Sequence, residues 1–136
     1  VKVFPFDDVN ENNNWFWAEV RQNDDELLFL DYYINSLGFN PKIKVKSLVC
    51  DCPVCGRANK LYFYLHSKNS YPNPIWKKFC PCDFGKYHFS LIGFVQYCFN
   101  QKENKILPPN AALLHTYNAY QIYKLRSESS TKKIYT

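Results

Sequence analysis

Two close cysteine pairs constrain this chain more tightly than any other feature of its sequence. The first is Cys52-Pro53-Val54-Cys55, followed at once by Gly56. The second, after twenty-four intervening residues, is Cys80-Pro81-Cys82. A tetrahedral zinc ion takes two thiolates from one tight turn, and a two-residue spacer supplies that reach. Pro53 stiffens the turn, and Gly56 lets the backbone fold over so that amide N–H groups meet the sulfurs. The second pair has a single spacer residue, a departure from the common knuckle. Between the pairs, Leu61, Phe63 and Leu65 alternate with Lys60, Tyr62, Tyr64 and His66, the period of a half-buried strand. Asn69 to Pro74 signal a turn, and Trp76 to Phe79 lead back as the second arm of a hairpin. The expected unit is a zinc ribbon at about residues 50–83, with Cys52, Cys55, Cys80 and Cys82 holding Zn2+. Four protein ligands close the coordination sphere and leave no position for an activated water, so the metal is expected to be structural.

Some alternatives stay open at this level. Cys50, His66 or His88 could replace one of the four ligands, while Cys98 lies in an apolar stretch and reads as a small buried hydrophobe. A disulfide framework is the competing account of six cysteines. Their density falls well below the roughly 8–10% typical of disulfide scaffolds, which favours the metal.

Outside the ribbon, Val1 to Trp17 reads as two short strands around an Asn-rich loop. A helix is expected from about Asp24 to Leu37. Asn23 and Glu26 supply a capping box, Leu27, Leu30, Ile34 and Leu37 fall on one face, and Gly38 and Pro41 end it. That stripe is expected to be core, with a subunit interface as the alternative. From Lys42 the period changes to two: Ile43, Val45 and Val49 oppose Lys42, Lys44 and Lys46, which reads as one half-buried strand with a basic outer face. Lys86 to Cys98 is expected to be a long strand or hairpin bent at Gly93. Pro108 to Asn110 mark a turn and helix cap, Ala111 to His115 begin as helix, and Tyr117 to Leu125 fit strand alternation almost as well. The tail from Ser127 is polar and expected to fray.

Charge divides the chain. Residues 1–40 carry two basic side chains (Lys2, Arg21) against eight acidic ones, whereas residues 41–136 carry fifteen basic against four acidic. A basic excess of that size suits a polyanionic partner, with a solvated lysine surface as the plainer reading. Lys44, Lys46, Lys60, Lys77, Lys78 and Lys86 are the candidates to neutralise phosphates. Tyr62 and Tyr64 are candidate stacking rings, or rings packed on the rest of the domain. Trp76 is divided in the same way between core anchor and stacking residue.

No apolar run approaches the ~20 residues of a membrane span, and no membrane partner is expected. The first residues lack the basic-then-apolar pattern of a secretory leader. With no Met in the chain, an excised domain or processed product is expected. Among only four glycines there is no phosphate-binding loop, and no carboxylate pair sits beside a histidine in a recognisable arrangement. The chain is therefore expected not to be an enzyme.

The run Phe79-Cys80-Pro81-Cys82-Asp83-Phe84-Gly85-Lys86-Tyr87, continued by Phe89-Ser90-Leu91-Ile92, resembles the zinc-ribbon OB-fold at the C-terminus of the replication protein A large subunit. It is similar, too, to the related domains of telomerase-associated paralogues and of the CST telomere complex. Asn110-Ala111-Ala112-Leu113-Leu114 resembles that family's helix after the third strand. The resemblance spans about residues 42–115. It implies a mainly β fold with one or two helices, an OB-like β-barrel with an inserted zinc ribbon. Residues 42–136 would form the barrel domain, and residues 1–41 would pack on it as strands and a helix. It also implies a nuclear, non-catalytic module that binds single-stranded DNA (RNA is the alternative) and other protein subunits in replication or telomere maintenance. A zinc-stabilised protein–protein scaffold, or a transcription or viral zinc-ribbon protein, is the alternative reading.

Overall fold

The computed structural model describes residues 3–45, 47–65, 73–82, 90–103 and 107–135. Its Asn-rich start is a helix, α1 (Val9–Gln22), and not a pair of strands. Asp8 caps it by accepting from the Glu11 N–H at 3.2 Å, which offsets the weak helix propensity of the asparagines. Buried Asn12, Asn13, Phe16, Trp17 and Val20 trace one helical face. Asn12 is spent on the backbone of Phe6: its Oδ1 accepts from the Phe6 N–H and its Nδ2 donates to the Phe6 carbonyl, both at 2.9 Å.

A tight turn follows. Asn23 ends α1 as its C-cap, Asp24 adopts a left-handed φ of 55°, and α2 (Glu26–Ser36) starts at Asp25 without a side-chain cap. The expected capping box is therefore absent, because Asn23 is already committed to α1. The expected apolar stripe does line the core: Leu30, Ile34 and Leu37 are buried and Leu27 is half-buried against them. Gly38, at φ +95°, ends the helix in a conformation other side chains rarely adopt.

Lys42 to Cys50 is not one strand but a hairpin, β1 (Lys42–Lys44) and β2 (Ser47–Cys50), with Lys44 opposite Ser47. Val45 sits in its turn, 80% exposed. β3 (Leu61–Tyr64) and β4 (Ile75–Lys78) complete an antiparallel sheet of order β1-β2-β3-β4. Among the described residues nothing joins β1 to β4, so the sheet is open and the expected OB barrel is overturned. Leu91 to Cys98, expected as strand, belongs to α3 (Leu91–Glu103). The buried set Leu91, Ile92, Phe94, Val95 and Cys98 has a helical period, and Gln96 interrupts the alternation a strand needs. α4 (Pro109–Tyr135) absorbs both the ambiguous Tyr117–Leu125 stretch and the tail expected to fray. The fold is thus a helical layer on one face of a small sheet, and the mainly β class inferred from sequence is wrong.

Phe29 is the hub of the helical layer. Its ring stacks on Tyr33 at 5.6 Å and meets Phe16, Trp17, Tyr120 and Tyr123 at 5.0–6.3 Å. Phe94 joins this layer to the sheet, edge-on to Phe63 at 5.1 Å and to Phe39 at 5.6 Å. Trp76 is a core anchor: it packs against the core and its Nε1 donates to the Ser90 carbonyl at 2.9 Å, which ties β4 to the start of α3.

Two measurements test this core. Phe29→Ala should cost about 3–5 kcal/mol in denaturant unfolding. Burial, with Asp25 accepting from its hydroxyl at 2.8 Å, pushes the Tyr120 phenol up to about 12. The unfolded chain releases that proton near the usual ~10. Stability present below pH ~10 should therefore drain away as pH rises toward 12, and Tyr120→Phe should flatten part of that slope.

Candidate metal centre

The sheet register assembles the cysteines. Cys50, Leu61 and Lys78 lie side by side across β2, β3 and β4, so the β2–β3 connection and the chain leaving β4 meet at one end. Phe79 N–H donates to the Lys60 carbonyl at 2.7 Å and carries the pairing one step further toward the cysteines. The sulfurs of Cys52, Cys55, Cys80 and Cys82 then all lie within 4.8 Å of one another. Cys52 and Cys80, from opposite arms, are 3.5 Å apart.

Local geometry explains the first pair. Gly56 N–H donates to the Cys52 carbonyl at 2.9 Å with φ at +72°, where an added Cβ would meet no atom and only the backbone angle demands glycine. The turn so made aims the Val54 and Cys55 N–H groups at the Cys52 sulfur, at 3.4 and 3.5 Å. The single-spacer pair also delivers both its sulfurs. Lys78 supports it by donating to the carbonyls of Cys80 (3.4 Å) and Cys82.

None of the six cysteines is in a disulfide in this structure, and four of them cluster as metal ligands would. Cys50 is fully buried in the core, outside the cluster, and burial pushes its thiol well up from the ordinary value. Cys98 is buried in α3, a small hydrophobe as expected. His66 and His88 lie outside the described residues.

The four clustered thiols respond unequally to their crowding. A hydrogen bond from the Arg57 backbone draws Cys55 down to about 7. Against the upward push of burial, hydrogen bonds from the Cys82 backbone and from neighbouring sulfurs bring Cys80 down as well. Burial raises Cys52, and burial with the adjacent sulfurs pushes Cys82 up to about 12. Four like charges this close cannot all form unless a cation sits among them. Zn–S bonds of ~2.3 Å place tetrahedral sulfurs about 3.8 Å apart, and the observed spread needs only slight closure to meet that. The donor set fits a tetrahedral metal ion.

No family model, curated protein or solved structure matches this chain.

The remaining candidates separate by strand face. Lys44, Tyr62, Tyr64 and Lys77 project from the sheet face turned away from the helices, as their register requires. Lys78, one residue on from Lys77, faces the other way and belongs to the metal centre. Lys60 is half-buried just ahead of β3, and Lys46 and Lys86 lie outside the described residues. Lys42 shares the outer face as the sequence alternation expects, but so does Val49, which the one-strand reading put opposite it; Phe79 lies there too and was not singled out from sequence. The period-two rule places Phe79 there once the end of β4 is known.

The ligand assignment has a simple check. The wild-type chain should bind one zinc, measured by native mass spectrometry with elemental analysis. Cys80→Ala should lose it, while Cys50→Ala and Cys98→Ala should keep full stoichiometry.

Proposed function

We propose that this chain is a non-catalytic scaffold module whose shape is stabilised by one zinc ion. The observation that carries the reading is the closure of the site. Four thiolates fill a tetrahedral sphere, so the residues Cys52, Cys55, Cys80 and Cys82 would hold the ion and leave it no open position. Zinc supplies charge neutralisation and a cross-link there, and the chain's own residues do the rest. The strands β2, β3 and β4 are four residues each, too short to hold a hairpin firmly by themselves. A cross-link at their common end fixes the register of the sheet. Structural zinc typically contributes on the order of 10–16 kcal/mol, as much as the whole ~5–15 kcal/mol of an ordinary domain.

The expectation of a single-stranded DNA-binding OB module fails with the barrel that would carry it. The replication and telomere roles inferred from that barrel go with it. A small sheet locked by metal and backed by four helices is better suited to presenting rigid surfaces to protein partners.

Chelation tests the reading. Zinc removal should abolish the near-UV circular dichroism of Tyr62, Tyr64, Trp76 and Phe79 and open the hairpin to protease. Most of the far-UV helical signal should remain, since Phe29 and its neighbours pack without the metal. A chain that keeps its near-UV spectrum and protease resistance with zinc demonstrably gone would refute the proposal.

A further inference from the structure

The six cysteines differ in what can reach them. Cys50, Cys52 and Cys98 are buried, at 0%, 1% and 4% exposure, and Cys80 and Cys82 are half-buried. Cys55 alone is exposed. It sits in an open run, since every residue from Val54 to Asn59 is exposed as well. The chain's one accessible sulfur is therefore also one of the four in the metal cluster.

That coincidence sets up a definite chemistry. A ligand sulfur is already deprotonated, and oxidation selects thiolates that a dissolved oxidant can reach. The Cys55 thiolate would attack a peroxide, forming an S–O bond as the O–O bond breaks and hydroxide leaves. The resulting sulfenic acid has other sulfurs close by, because all four lie within 4.8 Å of one another. Cys52 is the partner best placed. It shares the turn with Cys55, whose N–H already donates to the Cys52 sulfur at 3.5 Å. Their two-residue spacer is also that of redox-active dithiols. Attack by the Cys52 thiolate on the Cys55 sulfur makes the S–S bond and expels a second hydroxide. Two thiolates lose two electrons in total, and one peroxide becomes two hydroxide ions. Both ligands of the first turn are then spent. Cys80 and Cys82 remain on the far arm, and two thiolates do not fill a tetrahedral sphere.

We infer that Cys55 is an oxidation site through which a peroxide unlocks this module, closing a disulfide to Cys52, releasing the metal and freeing the arm that follows β4. The inference goes beyond the scaffold reading and rests on the zinc site in it.

Hydrogen peroxide added to the zinc-loaded chain tests it, with released zinc read by a colorimetric chelator and the disulfide mapped by peptide mass spectrometry. Zinc should leave in step with formation of the bond between Cys52 and Cys55. A thiol reductant with added zinc should then restore the near-UV spectrum. Brief alkylation of the untreated, loaded chain reads accessibility directly, and Cys55 should be labelled about tenfold faster than any other cysteine. Cys50→Ala and Cys98→Ala should leave the rate of zinc release unchanged. Zinc retained under peroxide, first labelling at another cysteine, or a disulfide from Cys55 to Cys80 or Cys82 would overturn the inference while leaving the scaffold reading intact. A chain that carries no zinc before oxidation would remove both.

Discussion

The antiparallel register of β2, β3 and β4 brings four sulfur atoms within 4.8 Å of one another, and the candidate metal centre depends on it. Thiols so close resist ionising together unless a cation sits among them. A cation there would pin the ends of β2, β3 and β4 at a single point. The register of these strands decides which side chains face the helices and which face away. A one-residue slip of β3 would exchange Leu61 and Phe63 for Tyr62 and Tyr64 against the core. The cysteine cluster and the hydrophobic core therefore agree on one pairing.

How much of this was legible in the sequence varies by element. The cysteine spacing, the hairpin between the pairs and the Gly56 turn were all readable, because each follows from local stereochemistry. So was α2, whose apolar stripe is strongly periodic. The failures share a cause in tertiary context. The Asn10-to-Asn14 region is poor helix-forming sequence, and only the Asp8 cap and the burial of Phe16 and Trp17 on one face decide for helix. The β1–β2 turn at Val45 carries none of the usual turn residues, so its two short arms looked like one alternating strand. Leu91 to Cys98 is apolar at nearly every position, and a dense apolar run hides its own period. The barrel is what the resemblance at Phe79 to Ile92 implies, and it fails because Leu91 onward is helix and the sheet stays open.

The candidate site was legible to a similar degree. The four sulfurs are brought together as the motif suggested, whereas the basic residues were grouped by composition alone. Charge along a chain says how many lysines there are, and strand pleat says which of them can act together. Here it divides the group, sending Lys44 and Lys77 with Tyr62 and Tyr64 to the outer face.

Lys77 and Lys78 make the point most sharply, since they are neighbours of identical chemistry on one strand. The ammonium of Lys77 rests over the Phe79 ring on the open face. That of Lys78 is held by two backbone carbonyls at the cysteine turn. A single acetyl group would thus have opposite meanings one residue apart: on Lys77 it would mute the outer surface and spare the architecture, and on Lys78 it would loosen the loop that presents Cys80 and Cys82.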